Sequence, residues 1–249
     1  MTRLPSKLKH DTIIEAIFEL RFEPALLNEA VFGAIYPIVR DRFGDLQHIP
    51  LPPSQLPDVI RNTDIQFKYQ PLHKLQGNGL SVSIGPRVVS FSAMKPYIGW
   101  SKWKPTILTV LSNIFNSNVI KYVERTGLRY LNFIELNIFP LINVNVEIIN
   151  RNVELKSTTI RTEITDGEYL KILQLANNVS INENGLIKNG SCIDIDIVRN
   201  RGISNDAFEK DLEVILNKSH EIEKQLFFNI LKPDFLSELG PTYDEVSNG

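Results

Sequence analysis

The segment Tyr122–Leu136, YVERTGLRYLNFIEL, sets Arg125, Gly127 and Arg129 two residues apart. In an extended strand these share one face with Leu131 and Phe133, while Leu128, Tyr130, Asn132, Ile134 and Leu136 take the other. A guanidinium on a strand face either grips a phosphate or carboxylate ligand or pairs with a neighbouring carboxylate, because burying it alone is costly. Residues 13–23, IIEAIFELRFE, offer such partners: Ile14, Ala16, Phe18, Leu20 and Phe22 alternate with Glu15, Ile17, Glu19 and Arg21. Two readings stay open. One is a structural salt-bridge seam between sheets in which Arg129 meets Glu15 or Glu19. The other is an anion or ligand site built on Arg21, Arg125 and Arg129, with Tyr130 and Asn132. Gly127, isolated in a strand, marks a bulge or a close approach of backbone.

Other residues invite chemistry more weakly. Asp194 and Asp196 in SCIDIDIVR share a strand face about 6.6 Å apart, the spacing of a weak candidate site for a hard cation. No third acidic or histidine ligand stands at a telling distance, and the commoner reading is a pair of exposed or arginine-bound carboxylates. His10, His48, His73 and His220 show no zinc-like spacing. His220, near Glu221 and Glu223, has the chemistry of an acid or base but the setting of a helix surface. No nucleophile elbow occurs, and Gly77-Asn78-Gly79 lacks the lysine and helix start of a phosphate loop, so it reads as a turn. Tyr97, Trp100 and Trp103 form either a stacking platform for a partner or, at a spacing of three on a helix, core packing.

Composition narrows the classes. The chain has 249 residues, 43% of them hydrophobic, enough for one large domain or two intimately packed ones. Its 27 basic and 29 acidic side chains leave a formal charge of −2, which gives no long-range pull toward nucleic acid or anionic membrane. Cys192 is the single cysteine, which fits a reducing compartment. Neither a secretory leader nor a membrane-spanning run is legible, so the expected location is the cytoplasm. No cofactor is expected.

The elements that must position these residues follow from periodicity. A strand over residues 13–23 leads to a helix from Leu27 that ends at Gly44 despite Pro37. The proline-rich IPLPPSQLP, residues 49–57, reads as an extended surface connection. Strands are expected around Ile65–Tyr69, Leu80–Ile84 and Val88–Ala93, with Gly85-Pro86 turning the last two. A helix follows from Trp100, capped by Ser101, with Pro105 placed in its first turn; the 122–136 strand then closes the half. Further strands are expected at Val144–Ile149, Leu155–Ile164, Tyr169–Ala176 and Ser191–Arg199, with turns at Asp166-Gly167 and over Asn182–Gly190. A long helix from Asn205 or Asp206, its cap, ends at Pro233. The predicted fold is α+β: two antiparallel meanders, residues 1–136 and 137–249, each covered by a long helix. The repeated theme suggests pseudo-duplication, although no fixed-period repeat carries it.

Read together, the E-A-x-x-E-x-R-F opening (Glu15 to Phe22) and the G-L-R-Y-x-N strand (Gly127 to Asn132) resemble an uncharacterised, sporadically distributed bacterial and archaeal family. Looser matches at Tyr97–Trp103, Ile193–Asp196 and Ser219–Phe228 extend the resemblance over nearly the whole chain. Phe133 stands where the resemblance implies a basic residue, so no role for such a group carries over. The resemblance supplies no enzyme activity, and its patchy distribution is similar to that of genes on mobile or defence islands. The expected function is therefore non-enzymatic: a subunit or regulator of a defence or toxin–antitoxin-like module, binding a protein encoded nearby, with homo-oligomerisation also open. The alternative is a nucleotide- or phosphate-sensing or hydrolytic domain that uses the arginines.

Overall fold

The alternation of residues 13–23 does build a strand, and in the computed structural model that strand lies at the middle of one large sheet. The structure describes residues 4–44, 46–148, 151–152, 157–183 and 185–243. After the short β1 (Lys7–Leu8) comes β2 (Ile13–Pro24), whose Ala16, Phe18, Leu20 and Phe22 are buried while Glu15, Ile17, Glu19 and Arg21 remain partly exposed. Helix α1 (Asn28–Phe43) stops at Gly44, whose φ of 75° suits glycine and whose N–H donates to the Arg40 carbonyl. Pro37 lies inside that helix, which is held to the sheet by Val31, Ile35 and Val39.

β3 (Gln47–Pro50) is the outermost strand of the sheet, a place where Pro50 breaks no ladder. The proline run then forms a 3-10 turn at Pro52–Gln55, followed by α2 (Asp58–Thr63) and a second 3-10 turn at Ile65–Phe67. The strand expected at Ile65–Tyr69 is therefore not formed. Asp64 accepts a hydrogen bond from the Gln66 N–H and winds the chain locally, and Ile65 is 76% exposed, so its alternation has no face to bury. The strand lies later, at β4 (His73–Gly77), which joins β5 (Leu80–Gly85) through Asn78 and Gly79, both at positive φ. β6 (Val88–Met94) completes the hairpin through Gly85-Pro86 as expected.

Helix α3 (Trp100–Asn116) starts from Gly99 rather than from a Ser101 cap, and Pro105 falls in its second turn. Both Ser101 and Pro105 face solvent, so the carbonyl that Pro105 leaves without an N–H stays hydrated. β7 (Ile120–Ile134) follows. Instead of a strand over Val144–Ile149 there is a two-residue pair, β8 (Glu147–Ile148) and β9 (Arg151–Asn152). Residues 153–156, where the Leu155–Ile164 strand was expected to begin, lie outside the described residues; β10 runs Thr159–Asp166.

β11 (Tyr169–Glu183) and β12 (Leu186–Arg199) form a hairpin longer than its apolar stretches suggest. Asn178, at φ 56°, takes up a bulge, and the ladder continues through the polar residues that read as a loop, with Ser180 donating to Asn189. β13 (Ile203–Ser204), α4 (Asn205–Ile230), α5 (Pro233–Glu238) and β14 (Pro241–Thr242) complete the chain. The N-cap of α4 is Ser204, so Asn205 and Asp206 already belong to the helix.

The sheet runs β10-β11-β12-β7-β2-β6-β5-β4-β3, with β13 against β7, and all its pairings are antiparallel. The two expected meanders are thus edges of a single sheet, joined because β7 pairs with β2 on one side and β12 on the other. Helices α1, α3 and α4 send Ile35, Ile107 and Phe208 into one cluster with Phe18, Phe22 and Leu128. The second cluster joins Ile193, Ile195 and Ile197 of β12 to Ile222 and Phe227 of α4 and Phe235 of α5. The opposite sheet face carries Glu19, Arg21, Arg125, Arg129 and Asp196, all partly exposed, with Asp194 buried beside Arg129. The arginine seam is consequently a stripe on an outer face, not a layer between two sheets.

Candidate functional site

On that outer face the strand register decides the pairing. Glu19 stands opposite Gly127, and Asp196 opposite Arg129. Arg125 folds across Gly127 and donates to Glu19 Oε1 at 2.5 Å and Asp196 Oδ2 at 3.3 Å. A Cβ on Gly127 would lie 3.2 Å from Asp196 Oδ1 and 3.6 Å from the Arg125 guanidinium, so the glycine provides a close approach rather than a bulge. Arg129 grips Asp194 with two parallel bonds, Nε to Oδ1 at 2.7 Å and Nη2 to Oδ2 at 2.5 Å, the geometry expected of a bidentate pair. Arg21 donates to Glu19 at 2.7 Å and lies over the Tyr69 ring.

Glu15 stays outside this network, opposite Leu131 and Met94, and Arg129 meets neither Glu15 nor Glu19. A phosphate gripping Arg129 by its Nε–Nη2 edge would have to displace Asp194. Burial raises the Asp196 pKa, against the pull of Arg125. Asp194 and Asp196 do share a face, but both oxygens of Asp194 accept from Arg129 and Oδ2 of Asp196 accepts from Arg125. Among the described residues no group of three metal-ligating side chains occurs. Burial and the Asp194 charge push the Cys192 thiol up to about 11, far from a thiolate nucleophile at neutral pH.

Tyr130 and Asn132, one residue out of phase with the arginines, point through the sheet to the helical side and line a cavity of about 580 Å³. Its walls are the start of α3 with Tyr97 and Trp100, and the α4 face that carries His220 and Glu223; Lys7 and Leu8 of β1 stand at the mouth. β1 is held there by pairing with β14, which sets Lys7 beside Thr242 and Leu8 beside Pro241. Trp103, by contrast, is 1% exposed and belongs to the core.

A chain of polar groups crosses the cavity. Tyr97 and Tyr130 share a hydrogen bond between hydroxyls at 3.0 Å, and Tyr130 lies 3.3 Å from His220 Nδ1. The imidazole of His220 stacks on Trp100, with ring centres 4.3 Å apart. Asn132 is fixed from both ends: Thr12 Oγ1 donates to its Oδ1 at 2.8 Å, and its Nδ2 donates to the Ile193 carbonyl at 3.4 Å. Burial, aided by the charges of Lys224 and Lys104, pushes His220 down to about 4, so the ring is neutral at pH 7. Burial also raises both tyrosines.

Glu223 is the exceptional member. It is 5% exposed, lines the cavity, and has no hydrogen-bond or ion-pair partner among the described residues. Burial pushes its carboxyl up to about 8, partly offset by Lys224. The site thus presents a carboxyl group that gains or loses its proton near neutrality, a neutral imidazole and aromatic walls. That set can bind, orient and exchange a proton.

Of the residues singled out from sequence, Tyr97, Trp100, Tyr130 and Asn132 come together here, while Arg21, Arg125 and Arg129 do not. Glu223 was passed over as one charge among several near His220. Its signal is helical phase: Leu216, His220, Glu223 and Phe227 follow one another at four, three and four residues, so the carboxylate falls on the buried stripe. A second cavity, about 490 Å³, lies beside α2 and is lined by Arg61, Lys68 and Arg87 with Asp58, Asp64 and Glu29. Lys68 and Arg87 are already engaged by Glu124, which also accepts from the Tyr69 hydroxyl.

A scan of the chain against protein-family models finds no match, and a search of curated proteins finds none either, so the functional reading rests on geometry.

Proposed function

We propose that this protein acts by binding a small molecule in the cavity between β7, α3 and α4. The observation that carries the reading is Glu223. A carboxyl that no protein group satisfies takes water or a ligand as its partner, and the chain has placed that group at the wall of a space large enough for a ligand. Pre-positioned tyrosines and a stacked Trp100–His220 pair supply orientation and apolar contact around it.

The test is a melting-temperature and tryptophan-fluorescence screen against neutral, anionic and cationic compounds of metabolite size. Binding at this site should raise the melting temperature and alter the emission of Trp100, and both responses should weaken in Tyr97→Ala. A panel that moves neither signal would overturn the reading.

A protein partner is a second reading, supported at a different place. β10 ends the sheet, its outer edge is unpaired among the described residues, and nearly all of its side chains are exposed. Such an edge accepts a strand from another chain. The partner that the sequence resemblance implies is the product of a neighbouring gene in a defence or toxin–antitoxin-like module. Pull-downs and native mass spectrometry with such products should recover a complex that a proline in β10 abolishes; recovery of free protein alone would remove this reading.

A further inference from the structure

We propose that the cavity recognises a ligand with a protonated amine at its buried end and an anionic group at its outer end, the amine seated against Glu223 among the rings of Tyr97, Trp100, Tyr130 and Phe227. This inference rests on the cavity being a ligand site and adds the ligand's charge pattern.

Three features of the site support it. First, the buried side chain of the lining that lacks a partner among the described residues is a carboxyl, and a cation is the ligand that satisfies it most fully, by a charge-assisted hydrogen bond. Second, the surrounding side chains are aromatic. Tyr97 and Tyr130 stand edge to face with centres 5.8 Å apart, and Trp100 closes a further side. Trp100 gives one face to His220, and the aromatic surface that remains favours an ammonium group over an anion. Third, the exposed part of the lining carries Lys7 and Lys102 with Asp11, Lys224 next to Glu223 is half-buried, and Glu223 itself is buried, so lysines outnumber the acid where the lining reaches solvent. A ligand with an outward carboxylate or phosphate therefore meets lysines where its ammonium has already passed.

The remaining groups that face Glu223 do not replace the ligand. Asp11 on the β1–β2 connection accepts the Ile13 N–H, Tyr130 and Tyr97 bond each other, and His220 stacks on Trp100. Glu223 is largely protonated in the empty cavity at pH 7, because burial holds its pKa near 8. Seating an ammonium against it favours the carboxylate, so the carboxyl proton leaves to solvent as the ligand enters. The amine keeps its own proton, and charge balances with one proton released for each ligand bound.

Isothermal titration at pH 7 with four related probes tests this: phenylalanine, phenethylamine, phenylpropionate and phenylethanol, the zwitterion, cation, anion and neutral form of one skeleton. Phenylalanine should bind tightest and phenethylamine next, both by about tenfold or more over the other two. Heats measured in phosphate and in Tris should differ by one buffer ionisation for the wild type. Glu223→Gln, which keeps the shape of the neutral side chain and cannot ionise in the unfolded chain, should melt no lower than the wild type at pH 7, lose about tenfold in affinity for the amines and show no buffer dependence. Equal binding of phenylpropionate or phenylethanol would overturn the cationic ligand while leaving the cavity a ligand site. Absence of binding by all four probes would overturn the amine proposal, and the broad screen above then decides the cavity reading on its own.

Discussion

The Arg125 guanidinium lies across the bare backbone of Gly127 and touches Glu19 on one neighbouring strand and Asp196 on the other. One side chain thereby ties β2, β7 and β12 together at the middle of the sheet, and it does so only because the intervening residue has no side chain.

Gly127→Val is accordingly expected to destabilise the fold by about 1–3 kcal/mol, although valine is the better strand former. Its Cβ would start 3.2 Å from Asp196 Oδ1, and its methyl groups would occupy the space of the guanidinium. Urea unfolding measures the change. Combining Gly127→Val with Arg125→Ala should cost less than the sum of the two single changes; strict additivity would show that the two residues do not compete for one space.

Arg129→Ala should be nearly silent in the same assay, within about 1 kcal/mol. Its side chain is 45% exposed, and although Asp194 is 8% exposed beside it, removing the guanidinium opens that carboxylate to the water of the outer face. A loss of several kcal/mol would mean that the Arg129–Asp194 pair holds the sheet together, contrary to its position on the outer face.

The pH dependence of stability separates Glu223 from His220. The folded-state pKa of Glu223 is raised from 4.5 to about 8, so its contribution is fully present below 4.5 and is lost as pH rises toward 8. Between pH 6.5 and 8 the wild type should lose roughly 2 kcal/mol through Glu223, against a gain of a few tenths as unfolded His220 gives up its remaining proton. Glu223→Gln should be flat over that window. A wild-type profile that is also flat would show the carboxyl to be hydrated or paired.

His220 acts in the opposite direction. Its folded-state pKa is depressed from 6.5 to about 4, so the unfolded chain takes up a proton that the folded chain refuses, and stability declines as pH falls through that interval. The full penalty is on the order of 3 kcal/mol. Because Glu223 offsets this over the same interval, the decline is read in Glu223→Gln, where adding His220→Phe should remove it while keeping the ring against Trp100, at the loss of the hydrogen bond to Tyr130. Denaturation midpoints at pH 4.5 and pH 7 for both proteins decide it.

The large elements were legible because their periodicity is strong. β2 alternates over its whole length, and α3 and α4 carry continuous apolar stripes. Segments whose structure depends on distant partners were not. The 182–190 residues have the composition of a loop, yet the bulge at Asn178 and the facing ladder hold them in a hairpin. Ile65–Tyr69 has the composition of a strand, yet no neighbouring strand is there to pair with it. For the site, side-chain phase along β7 correctly separated arginines from Tyr130 and Asn132, but local sequence could not say which face held the cavity. That depends on α4, which follows β12 closely, returning to cover the distant β7 as well, which brings His220 within reach of Tyr130, 90 residues before it.

A strand with a different task on each face has one further property. Sliding β7 by a single residue would turn Tyr130 and Asn132 to water and drive Arg125 and Arg129 beneath the helices, so an error of register is punished on both sides at once. The ion pairs on the outside are in this sense the alignment pins of the cavity on the inside: they touch none of its walls, yet they fix where its walls stand.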